Sequence, residues 1–158
     1  MKTTSTLLAT TAILLSGCAT VCGTEPEPEP RPCLSATLAV KSLETEYGCQ
    51  NTTRQMNVNL SETYTVIRSQ QEFEQQVSGS CRPQIDFAVY DLVVGKKGLA
   101  SGPGGINYTL RQECNTNKLV LSVVIGRSMT TEAPNITYHA LIPKLAAGQE
   151  VGVQVEVK

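Results

Sequence analysis

The sequence predicts a mainly β, α+β domain, a small antiparallel β-sandwich or partly open barrel carrying one short helix. Three observations lead there. Phe87 to Val94 is apolar on both faces of an extended chain, with Phe87, Val89 and Val93 on one face and Ala88, Tyr90, Leu92 and Val94 on the other, which suits a strand covered on both sides. Leu119, Leu121, Val123 and Ile125 recur at every second position, as do Val151, Val153, Val155 and Val157, which is the period of a half-buried strand. Thr, Val, Ser, Gly and Asn are plentiful, and one segment alone carries a full helix signal.

Taken in order, Ser35 to Leu43 alternates as a first strand with one wet face, and Tyr47-Gly48-Cys49-Gln50-Asn51 reads as a turn. Met56, Val58 and Leu60, then Tyr64 and Val66, give two short strands or one interrupted at Ser61-Glu62. The helix signal is the capping box Ser69-Gln70-Gln71-Glu72, followed by Phe73 and Val77 four apart and a stop at Gly79. Gly95 to Gly105, GKKGLASGPGG, reads as a mobile connection between strands: no Gly-Lys-Ser or Gly-Lys-Thr closes it as a phosphate loop, and no helix follows. Ile106 to Gln112 and Lys118 to Ile125 form a hairpin around Asn115-Thr116-Asn117. Gly126 to Asn135 is a second long loop, Tyr138 to Ile142 a brief strand halted at Pro143, and Val151 onward the last strand.

The totals narrow the function classes. A chain of 158 residues, 41% hydrophobic, holds one domain with a core. Thirteen basic against fourteen acidic side chains, with a pI near 5.8, leave no basic stripe for nucleic acid. At 4% aromatic, with no Trp, the chain is poor in stacking platforms. The acids Glu44 and Glu46, and Asp86 and Asp91, mark no general acid and base pair, and His139 has no orienting partner legible in the sequence. No catalytic residue, metal, cofactor or small-molecule substrate is assigned, and a non-enzymatic role is expected.

The N-terminus gives an address. Met1 to Gly17 has one Lys, then an uncharged run from Leu7 to Leu15 too short to span a bilayer. Leu15-Ser16-Gly17-Cys18 matches a bacterial lipobox, so residues 1–17 read as a lipoprotein signal peptide and Cys18 as the point of lipid attachment. Several acyl chains, at about 0.8 kcal/mol per buried methylene, would anchor the chain to a membrane. Ala19 after that Cys points to the outer membrane of a Gram-negative cell envelope. TEPEPEPRP at 24–32 cannot form helix or sheet, so residues 18–33 read as an extended spacer and 34–158 as the domain. An exported chain meets an oxidising compartment, and no two of Cys22, Cys33, Cys49, Cys81 and Cys114 have C-x-x-C spacing, so disulfides are favoured over zinc. The expected framework uses Cys49, Cys81 and Cys114, with Cys81 bonded to Cys49 or Cys114. The four Asn-X-Ser/Thr sequons, at Asn51, Asn59, Asn107 and Asn135, are what so Asn- and Thr-rich a chain carries by chance.

Tyr64 to Ser69 (YTVIRS) leading into the capped QEFE helix, then PQIDF at 83–87, the double glycine Gly104-Gly105, and HALIPKL at 139–145 before a last strand together resemble the C-terminal domain of PrcB-like lipoproteins. The resemblance covers 64–158. It implies a lipid-anchored, non-enzymatic module that stabilises an exported protease complex, with Gly102, Pro103, Gly104 and Gly105 as a candidate partner-binding loop. That loop departs from the family's Thr-Gly-Gly-Tyr, keeping the glycine pair and changing its neighbours. Two other roles fit the sequence. One is a protease inhibitor wedging Gly98 to Gly105 and Arg127 to Asn135 into a cleft, and the other is a structural envelope lipoprotein.

Overall fold

A computed structural model describes residues 35–60, 63–114 and 116–158; the expected signal segment, Cys18 and the expected spacer lie outside them. The elements are β1 (Thr37–Leu38), α1 (Leu43–Tyr47), α2 (Thr52–Gln55), β2 (Met56–Val58), β3 (Tyr64–Ile67), α3 (Gln70–Gln76), β4 (Val77–Gly79), β5 (Tyr90–Gly98), β6 (Pro103–Gln112), β7 (Lys118–Arg127), β8 (Asn135–Pro143) and β9 (Glu150–Val157). They form a four-stranded sheet, β1-β6-β7-β9, a three-stranded sheet, β3-β5-β8, and the small ladder β2-β4. The sheets do not close into a barrel.

The three-stranded sheet is the middle layer. On one face Val93 of β5 and Ile136, Tyr138, Ala140 and Ile142 of β8 pack against Leu110 of β6 and Leu119, Leu121, Val123 and Ile125 of β7. On the other, Leu92, Val94 and Leu141 pack with Leu43, Met56, Val58, Ile67, Phe73 and Val77 from the helices and the small ladder. This is the two-faced strand the sequence predicts, begun later than expected. Residues 87–89 turn instead, because Asp86 accepts from the amides of Ala88 through its side chain and of Val89 and Tyr90 through its carbonyl, leaving Val89 half exposed.

Three expectations are corrected. The pairs β6–β7, β3–β5 and β5–β8 are antiparallel, but β7 and β9 run parallel, because β8 lies in the other sheet between them and returns the chain to its starting end. Beside the predicted helix, which is α3 with the Ser69 hydroxyl accepting from the Glu72 amide at 3.2 Å, two shorter helices stand on either side of the expected turn, α1 replacing the end of the expected first strand. α1 is built by a Ser42–Thr45 capping box and ended by Gly48 in the left-handed region at φ 68°. The first strand shrinks to β1 because the chain crosses at Val40 to the other sheet, where Lys41 and Leu141 exchange backbone bonds of 3.1 and 2.8 Å.

Cys49 and Cys81 are bonded, with Cα atoms 5.6 Å apart, tying the end of α1 to the segment after β4. Cys114 is also in a disulfide.

Candidate functional site

β8 is buried along seven consecutive residues, yet one of its faces carries Thr137 and His139. Above His139 lie α1 and α2, and beside it β6, enclosing a cleft of about 430 Å3. Ser42, Glu44, Thr45 and Thr53 form one wall, Gly104, Ile106, Asn107 and Tyr108 form the other, and His139 is the floor. A larger concavity of about 660 Å3 lies over Thr109, Arg111, Val120, Ser122 and Gln154 on the outer face of the four-stranded sheet, with no buried ionisable group in its lining. The smaller cleft is therefore the stronger candidate.

At the floor, the Nε2 atom of His139 accepts from the Leu43 amide at 3.1 Å and lies 3.0 Å from Oε2 of Glu44. These demands are incompatible, since a lone pair on Nε2 serves Leu43 and a proton there serves Glu44. The Thr52 hydroxyl donates to the other Glu44 oxygen and stands 3.5 Å from Nδ1. Burial pushes the Glu44 carboxyl up, but the hydrogen bonds from His139 and Thr52 and the His139 charge outweigh it and hold the group far below the usual carboxylate range. The Tyr108 hydroxyl accepts from the His139 amide at 3.1 Å, and its burial, only partly offset by that bond, pushes its ionisation well above the ordinary tyrosine value.

No family model, curated protein or solved structure matches the chain. The site has to be read from its own chemistry.

The glycine run is mostly strand and not a loop: β5 continues through Gly98 and β6 starts at Pro103. Of the candidate partner-binding residues, Gly102 is buried against the second loop, with its carbonyl accepting from the Ser128 amide at 2.8 Å, and Pro103 pairs with Arg127. The register slips between Pro103 and Ile106, a bulge in which Gly104 passes so close to the Gly126 backbone that an added Cβ would sit 3.1 Å from it. Gly105 faces open space. Gly104 is thus the member of this group that reaches the cleft.

The acids separate. Glu44 turns inward to His139, while Glu46 bonds Lys41 at 2.7 Å and receives the Tyr90 hydroxyl at 3.2 Å. Asp86 caps its turn, and Asp91, fully buried, holds Lys144 at 2.6 Å and the Leu145 amide at 3.1 Å. Sequence reasoning missed the link between Glu44 and His139 because 95 residues separate them. The available signal was a histidine inside an otherwise apolar strand, on the same face as Thr137.

Proposed function

We propose that this chain is a lipid-anchored envelope protein, attached through Cys18 to the outer membrane of a Gram-negative bacterium, that works by contact and not by turnover. Its cleft between α1 and β6 engages another exported protein, of the protease-complex type that the PrcB-like resemblance implies. The observation that carries the reading is the glycine bulge at the mouth of the cleft. Gly104, having no side chain, brings bare backbone to the rim of a recess whose floor is closed by the contact of His139 with Glu44. A photo-crosslinking residue at Thr53 of the cleft in growing cells should trap one discrete exported partner, and the same residue at Ser122 on the outer sheet face should not. Equal labelling from both positions, or none from the cleft, rejects the proposal.

One observation favours the inhibitor reading as a second choice. The two candidate wedge loops meet, with the Leu99 amide donating to Pro134 at 2.9 Å and the Ser128 amide to Gly102, and Met129 of the second loop stands fully exposed. Stoichiometric inhibition of a cysteine or serine protease, lost on Met129→Asp, would select it.

A further inference from the structure

β6 carries unused ladder capacity inside the cleft. The Glu113 amide donates to Lys118 across the hairpin, and the Gln112 amide donates to Ala36 on the opposite side. Successive strand residues turn their N–H and C=O groups to opposite edges, so the odd residues Asn107, Thr109 and Arg111 bond β7 while Ile106, Tyr108, Leu110 and Gln112 face the β1 edge. β1 meets that edge only at Arg111 and Leu110 before the chain departs for Leu141. Ile106 and Tyr108 therefore present main-chain donors and acceptors to the cleft with no strand among the described residues opposite them.

We propose that this free edge is the docking site for an extended segment of a partner protein, added to β6 in line with β1, with a basic side chain directed inward toward Glu44. The inference rests on the contact function proposed above and gives the occupant its chemistry. β1 already shows the mode of attachment on the same edge, one step further along. Gly104 to Tyr108, at about 3.3 Å per residue, offers roughly 13 Å, room for four or five residues. Main-chain bonds supply the affinity of such an added strand, and alternate side chains supply its selectivity. The inward side chains meet Ser42 and Glu44, which keeps 36% of its side chain exposed beside its bonds to Thr52 and His139, whereas the charge of Lys41 at the rim is matched by Glu46.

The test is selection of phage-displayed random dodecapeptides on the purified full chain in detergent, followed by synthesis of the consensus peptide. The expected peptide contains Lys or Arg, binds saturably, and slows amide exchange at Ile106 and Tyr108 by about tenfold or more. Ile106→Pro removes an edge donor and no bond to β7, a position where proline is tolerated, and should weaken binding by about tenfold with the fold retained. Exchange mapping of the unmutated chain gives the same answer independently of how that variant folds. Failure to select any peptide, binding that leaves those two amides unprotected, or undiminished binding by a folded Ile106→Pro overturns the proposal. Peptides that protect Val153 and Val155 on the β9 edge instead would leave the contact function standing and reject this site.

Discussion

At the scale of single residues, His139 is the most constrained side chain, because one ring nitrogen is approached by both the Leu43 amide and the Glu44 carboxylate. Replacing it with alanine leaves the Leu43 N–H and one Glu44 oxygen short of a partner. His139→Ala should therefore lose about 1–3 kcal/mol of unfolding free energy, read from urea denaturation. Glu44 sets an acid limit. Its folded-state ionisation lies below its ordinary value of ~4.3, so its contribution is complete above that value and drains as pH falls beneath it. Burial raises the Tyr138 hydroxyl to about 12, so its contribution is intact below the ordinary tyrosine value of ~10 and is lost as pH rises from there toward about 12. Stability measured against pH should fall at both ends, and Glu44→Gln should flatten the acid limb while leaving the alkaline one in place. An unchanged acid limb would remove Glu44 from this role.

At the scale of elements, α1 matters beyond its five residues because it forms one wall of the cleft. Its stability depends on the reciprocal bonds of Ser42 and Thr45 and on Gly48, since a helix this short has no cooperative strength of its own. Ser42→Ala should cost about 1 kcal/mol and raise amide exchange across Leu43–Tyr47 more than in β5; uniform exchange changes would contradict it. The pattern Ser-x-x-Thr followed by Gly was visible in the sequence, but the apolar alternation across 35–43 pointed to a strand. The cross-over at Lys41 overrode that local preference. α3, by contrast, was legible at its start, because its cap and its buried Phe73 are local, but it ends at Gln76 and not at Gly79, since Val77 to Gly79 pair with β2.

At the scale of the whole molecule, the middle sheet takes core packing on both faces, and the Cys49–Cys81 bond staples its helical side across a sequence separation of 32 residues. Loop-closure entropy for that length gives roughly 3–4 kcal/mol, so the double variant Cys49→Ser/Cys81→Ser should lose about that much in a denaturant titration. Under the proposed address, Cys18→Ala should move the protein from membranes to the soluble periplasmic fraction, because the anchoring energy resides in the acyl chains. A variant that remains membrane-bound would refute anchoring through that residue.

The sequence by itself determined what depends on near neighbours: the alternating strands of β7 and β9, the β6–β7 hairpin, the capped helix, and the two-faced apolar stretch that became β5. Only the tertiary structure decided the parallel pairing of β7 with β9, the helix that replaces the end of the expected first strand, the pairings with β7 and β8 that turn most of a glycine-rich connection into strand, and the meeting of Glu44 with His139. Each of these joins residues distant in sequence, where the geometry is set by which faces must be buried together and not by the preferences of any one segment.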